Sequence, residues 1–302
     1  MNIARKLAVL AVLSLLLVLA ACGGGNNEND NAADNGGDDT QSGKGTISIG
    51  MNNWAENIAV SNMWKIILEE RGYDVKLTPV EKAILYEGLQ SGDLDIGMEV
   101  WLPHTDAPFY KKYKEDIVWR DIWYKGTDLA LVVPSYMEDI NSIEDLNANK
   151  EKFESEIIGI DPGSSIMGLT EEVIKEYNLD FELVSSSEPT MMAELQNKIE
   201  NKEPIVVTLW KPHWAFSKMD LKLLEDPKNI YGDSENISYA TRKGLEEDFP
   251  KVVKWFDNFI LNDQQLGSLM AAINEAESEQ AGAQKWVDNH QDLIKKWVGE
   301  AE

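Results

Sequence analysis

The sequence predicts an α/β protein of two lobes built on largely parallel sheets. Three observations carry this. Short apolar strands alternate with helices, the alternation stops at a proline and starts afresh, and after Tyr231 the chain turns mostly helical.

The first strand is Thr46–Met51, where Ile47, Ile49 and Met51 alternate. A helix over Asn57–Arg71 puts Val60, Met63, Trp64 and Ile67 on one face, and Gly72 stops it. Asp74–Leu77 is a second strand and Lys82–Gln90 a second helix. Leu94, Ile96, Met98 and Val100 then alternate, the pattern of a strand with one buried face. Leu129–Pro134 is a strand ended by its proline. Ser142 with Asp145 resembles a capping box, and the second series follows: strands Glu156–Ile160, Phe181–Val184 and Ile205–Leu209, with helices over Ile166–Tyr177 and Met191–Asn201 between them. In the tail, Val252, Phe256 and Phe259 form one apolar helical face, and Leu266, Leu269 and Ile273 another. These readings place lobe 1 at 46–133 plus 235–302 and lobe 2 at 134–234, with hinge crossings near Pro134 and Asp233.

The 302 residues leave room for two domains, and 43% hydrophobic residues are enough for a sizeable core. The net charge of −25, from 53 acidic and 28 basic residues, repels phosphate backbones and argues against a nucleic-acid partner. A single Cys excludes an intramolecular disulfide. Its setting is informative. A basic start (Arg5, Lys6) and an apolar run from Leu7 to Ala21 have the pattern of a signal peptide over residues 1–21. The run ends Leu19-Ala20-Ala21-Cys22, which looks like a bacterial lipobox, so Cys22 is the expected lipid anchor. Residues 22–45, mostly Gly, Asn and Asp, read as a flexible tether. The globular part is thus expected outside the cytoplasmic membrane, tethered to its outer face.

In open α/β sheets, ligands bind beyond the carboxyl ends of the strands. Strand 46–51 runs into Asn52-Asn53-Trp54, strand 94–100 into Trp101-Leu102-Pro103, and strand 205–209 into Trp210-Lys211-Pro212. Three strand ends from two lobes therefore carry a Trp. A quaternary ammonium donates no ordinary hydrogen bond, and aromatic faces are how proteins hold it. The fourth end, Asp161-Pro162-Gly163-Ser164-Ser165-Ile166, opens a helix whose free N–H groups suit an anion. Trimethylammonium with a carboxylate is the charge pattern of a betaine. Trp64, Trp255, Trp286 and Trp297 lie on apolar helical faces and read as core; Trp214 is undecided, and His290 receives no role. No G-x-S-x-G elbow, H-E-x-x-H or P-loop occurs, and three His with one Cys supply little for a triad or a soft metal site, so neither an enzyme, a cofactor nor a metal is expected.

Several segments resemble the glycine betaine-binding lipoproteins of osmoprotectant ABC importers. They are Val100-Trp101-Leu102-Pro103, Asn141-Ser142-Ile143-Glu144-Asp145-Leu146, Gly159-Ile160-Asp161-Pro162-Gly163-Ser164-Ser165-Ile166-Met167, Leu209-Trp210-Lys211-Pro212-His213-Trp214 and Leu224-Glu225-Asp226-Pro227-Lys228. The resemblance covers nearly all of 46–302. It implies a type II periplasmic-binding-protein-like fold with the ligand in the interlobe cleft. It implies a prism of Trp54, Trp101 and Trp210 around the ammonium, and carboxylate donors at the Ser165 and Ile166 amides. It further implies permease subunits as partners and a monomer. One position departs. Some betaine binders have a His five residues after the Trp matching Trp101; here that position is Asp106, and a His stands instead at His104. An ionised Asp106 repels a carboxylate, so either His104 takes over, or Asp106 faces away, or the ligand is less anionic, as choline is. Glu56 is a further candidate for the cation or a hydroxyl, or else a solvated first-turn residue. The expected function is capture of glycine betaine, or a close betaine such as proline betaine or carnitine, for import in osmoprotection. The alternatives are choline capture for the same class of importer, or a sensor subunit without transport.

Overall fold

The computed structural model describes residues 44–299. The signal segment, Cys22 and all but the end of the tether lie outside the described residues. Residues 42–302 form a unit of their own.

Five strands make one half of the sheet system. β1 (Thr46–Met51) lies parallel to β2 (Asp74–Pro79) and β3 (Ile96–Leu102), joined by helices α1 (Ala55–Glu69) and α2 (Lys82–Ser91). After α3 (Ala107–Tyr113) comes β4, a 17-residue strand (Val118–Pro134) that serves both halves. The second half follows: β5 (Glu156–Ile158), α4 (Ser165–Glu176), β6 (Glu182–Val184), α5 (Glu188–Asn201), β7 (Val207–Lys211), α6 (Ala215–Lys218) and β8 (Leu221–Leu223). β9 (Glu235–Thr241) returns to the first half between β3 and β4, antiparallel to both. The tail is helical: α7 (Leu245–Asp248), α8 (Pro250–Asp257), α9 (Asp263–Asn274), α10 (Glu279–Asn289) and α11 (Gln291–Val298).

Strands and helices fall close to their expected places, and the second series opens on the expected capping box: Ser142 accepts from the Glu144 amide, and Asp145 accepts back from the Ser142 amide. The helix it opens is a short 3-10 turn, Ile143–Asp145. Two features differ. β4 begins eleven residues before Leu129, and its partner changes within the strand: Val118–Thr127 pairs with β9, whereas Asp128–Val132 pairs with β7. The tail is not purely helical either, because β9 closes the gap between β3 and β4. Its residues Glu235, Asn236 and Ser238 hide a strand from a reading based on alternation, yet Ile237, Tyr239, Ala240 and Thr241 are fully buried.

The tail helices pack on α1. Trp64 of α1 stacks on Phe256 at 3.9 Å, with Phe259 and Trp297 against its other edges. Trp286 is buried as expected, with His290 stacked on it at 4.0 Å. Trp255 is only half-buried, packed edge-on against Tyr73. Among the described residues no helix is long and apolar enough to cross a membrane.

Candidate functional site

The expected strand ends converge. Trp54, Trp101, Trp210, Ser165, Ile166, Glu56 and Asp106 line one cavity of about 330 Å³ between the two sheet halves. Each ring is fixed by local structure. Trp54 is the N-cap residue of α1, with extended backbone that swings its side chain off the helix. Trp101 and Trp210 sit near the ends of β3 and β7, each followed within two residues by a cis peptide, Leu102–Pro103 and Lys211–Pro212. All three are at least nine-tenths buried.

Every indole N–H of the three goes to a carboxylate. Trp54 Nε1 donates to Asp161 Oδ2 at 3.3 Å, Trp210 Nε1 to Glu56 Oε2 at 2.9 Å, and Trp101 Nε1 to Glu99 Oε1. These bonds hold each ring at a set angle, and each is strengthened when its carboxyl is ionised. They also push electron density into the ring, which strengthens the pull of its face on a cation. Trp54 and Trp210 meet edge-to-face with centroids 6.4 Å apart.

Acids crowd the cage. Glu56 and Glu99 are completely buried, with Glu188 close behind. Burial pushes the Glu56 carboxyl well above the ordinary carboxylate range, and its neighbours Glu99 and Glu188 push it the same way. Glu99 is also raised, chiefly by burial, while Lys82 and the Trp101 N–H act against the shift. Glu56 Oε1 is buried without a hydrogen-bond partner.

Asp106 does not face away. It lines the cavity, fully buried, and its charge is met by Lys82 Nζ at 2.7 Å. Its Oδ2 also accepts from the Trp101 amide at 2.8 Å and Tyr86 Oη at 3.1 Å, and its Oδ1 from Ser165 Oγ at 2.9 Å. His104, by contrast, is not brought into the cavity. The buried carboxylate of Glu235 grips the His104 and Thr105 amides, and the imidazole turns outward over Gly232, with Nε2 3.3 Å from the Ile230 carbonyl oxygen. The amides of Ser165 and Ile166 open α4 and have no intrahelical acceptor, and no side chain caps them.

Several bonds cross between the halves. Besides Trp54–Asp161, Glu56–Trp210 and Asp106–Ser165, the Ala55 amide donates to Glu188 Oε2 at 2.8 Å. Glu188 Oε1 lies 3.0 Å from His213 Nε2, while His213 Nδ1 accepts from the Ala215 amide, so the imidazole proton sits on Nε2 and is donated to Glu188. His213 thus makes structural bonds at the turn after β7. Trp214, half-buried at the start of α6, lies beside His213 and does not line the cavity.

Lys82, Glu99, Thr105, Leu129 and Ile160 line the cavity without having been singled out. Glu99 was detectable: it shares a strand face with Trp101, two residues on. The reading of β3 as a strand with one solvent face hid it, for that strand is buried on both faces.

Residues 45–289 match the family model of the substrate-binding domain of ABC-type glycine betaine transport systems. The chain belongs to this family. A glycine betaine/carnitine transport binding protein of Listeria monocytogenes is 42% identical over 151 residues, 49% of this chain and 50% of that protein, so the match spans about half the length of the curated relative. The glycine/betaine/L-proline-binding protein of a Borrelia burgdorferi ABC transporter superposes with a TM-score of 0.80 at 37% identity, over 84% of this chain and 97% of that one. A lactococcal protein in its closed form with glycine betaine gives 0.78 at 34% identity, over 84% and 99%. The fold is therefore the two-lobed one of these binding proteins.

Proposed function

We propose that this protein captures glycine betaine, or a close betaine, outside the cytoplasmic membrane and delivers it to the permease of an ABC importer. One observation carries the reading: three carboxylate-bonded indoles, drawn from both sheet halves, share a cavity with the open first turn of α4. On this reading Trp54, Trp101 and Trp210 hold the trimethylammonium, and the Ser165 and Ile166 amides hold the carboxylate. Lys82 removes the objection to Asp106, because a paired carboxylate does not repel the ligand as a free one does. The ligand leaves unchanged, with no chemistry done on it.

The lobe limits proposed are those of the sequence except at the first crossing, which is drawn back from Pro134 to Thr127–Asp128, where β4 changes partners. Closure about that crossing brings the second-half residues onto the first. Cys22 is the proposed lipid anchor, the segment after it the tether, and the protein acts as a monomer.

Choline is the second reading, favoured by Glu56 and Glu99, buried carboxyl groups lining the cavity that suit a cation carrying a hydroxyl in place of a carboxylate. Calorimetric titration of residues 42–302 with each ligand tests both. Saturable binding of glycine betaine with recovery of intact ligand supports the first reading; binding of choline alone transfers the site to the second; binding of neither removes the cage reading.

A further inference from the structure

A second cleft shares no lining residue with the tryptophan cavity. It has about 940 Å³ of unfilled space, and among the described residues its lining holds six cations, Lys44, Arg71, Lys251, Lys254, Lys295 and Lys296, and no carboxylate. This occurs in a chain of net charge −25, where acids outnumber bases 53 to 28. A random patch of such a surface carries mostly negative charge.

Helix dipoles explain part of the cluster. Lys254 lies in the last turn of α8, and Lys295 and Lys296 in the last turn of α11, where cations are favoured. They explain Arg71 as well, just beyond α1 and bonded to a carbonyl of its last turn, but not Lys44, at the entry to β1. Four separate segments of chain thus bring like charges to one concavity, against their mutual repulsion. None of Lys44, Arg71, Lys254, Lys295 and Lys296 is in an ion pair among the described residues, and the nearest acid acting on Arg71 is its neighbour Glu70. Arg71 is held in place by its bond to the Ile67 carbonyl at 2.9 Å and by the Trp255 ring, 5.7 Å from its guanidinium. Burial lowers its pKa, so gathering these charges carries a cost that an anion would offset.

We propose that this cleft binds a multiply charged oxyanion of the phosphate class, supplied either as a free phosphate or as the headgroup of an anionic lipid. Four ammonium groups, of Lys44, Lys254, Lys295 and Lys296, around the Arg71 guanidinium suit an anion of more than one negative charge, because a single charge leaves most of these five uncompensated. The headgroup source follows from position and rests on the tether reading above. Lys44, which lines the cleft, belongs to the segment proposed as the tether, so a tether held at a membrane would keep this face near the lipid.

The test uses residues 42–302, with inorganic pyrophosphate in calorimetry and vesicles of phosphatidylglycerol or phosphatidylcholine in co-sedimentation, all at low ionic strength. The expected result is saturable binding of pyrophosphate, of phosphatidylglycerol vesicles, or of both, weakened at least about tenfold by Lys254→Glu with Lys295→Glu and lost progressively with added salt. Pyrophosphate binding identifies a soluble ligand, and vesicle binding without it identifies the headgroup. Both lysines are exposed, so the double variant keeps its fold, and unchanged glycine betaine binding in the same sample verifies this. Binding of neither probe, binding untouched by the double variant, or equal sedimentation with phosphatidylcholine overturns the proposal. Because betaine capture is read separately, its failure and the failure of this cleft are distinguishable.

Discussion

The tryptophans of the cavity and the core tryptophans Trp64 and Trp286 are buried to similar degrees, yet they differ in what their indole N–H groups meet. Trp54, Trp101 and Trp210 each donate to a carboxylate. Trp286 donates to the Ser268 hydroxyl at 2.8 Å, and Trp64 Nε1 finds no partner at all. In the core where the tail packs on α1 the ring is valued for its area, and Trp64 gives it up to Phe256, Phe259 and Trp297. In the cavity the ring must stand at an angle with one face free, and a hydrogen bond from its edge to a carboxyl group holds it there. Burial alone does not separate the two kinds; the partner of the N–H does.

The comparison is tested hardest by Trp64→Ala. It should destabilise the protein by about 3–5 kcal/mol in urea unfolding while leaving glycine betaine affinity of the folded fraction within about twofold. Asp106→Ala should cost a similar amount, about 3–5 kcal/mol, because it strands Lys82 as a buried, unpaired charge; recovery by the double variant with Lys82→Met would establish that cause. Trp101→Ala should reverse the pattern of Trp64→Ala. Affinity falls about 10- to 100-fold in calorimetry, with a smaller loss of stability, since a face on a cavity makes fewer contacts. An affinity loss from Trp64→Ala equal to that of Trp101→Ala would erase the distinction.

The smallest effect sharpens it. Burial, Glu99 and Glu188 favour the protonated form of Glu56, so its folded pKa is raised and a fraction holds its proton above the ordinary carboxylate range. A permanent cation in the cage favours the ionised form, so binding releases a proton. Affinity should therefore rise with pH across that range, by at most about tenfold per pH unit per proton released. Glu56→Gln should flatten the rise, leaving only the part due to Glu99, whose pKa is also raised. Stability without ligand takes the opposite sign: the advantage of a buried, protonated Glu56 is present at low pH and lost as pH rises through its raised folded pKa.

Much of this was legible in the sequence. Strand-end tryptophans and the Pro162-Gly163 turn are local features, and local features fix which residues reach the carboxyl edge of a sheet. The alternation of Ile47, Ile49 and Met51 places Trp54, and the Leu209-Trp210 strand end places Trp210. What was not legible depended on contacts distant in the chain. β9 fills its place because β3 and β4 flank it, not because of its own pattern. Lys82 reads as an ordinary first-turn helix residue until Asp106 is beside it. His104 was a reasonable carboxylate partner by spacing, and only Glu235, 131 residues away, turns its backbone so that the ring points elsewhere. The basic cleft is assembled from four segments and has no motif.

The Glu188 contact has a kinetic corollary. α1 lacks a side-chain cap of its own, and its first amide, at Ala55, is covered by a carboxylate from the far half of the molecule. Whenever the halves separate, that amide meets solvent and the first turn of α1 loosens, carrying Trp54 with it. Deuterium uptake at this one position would therefore act as a clock for opening: fast in free protein, slowed in proportion to occupancy when ligand is added, and indifferent to anything bound in the basic cleft.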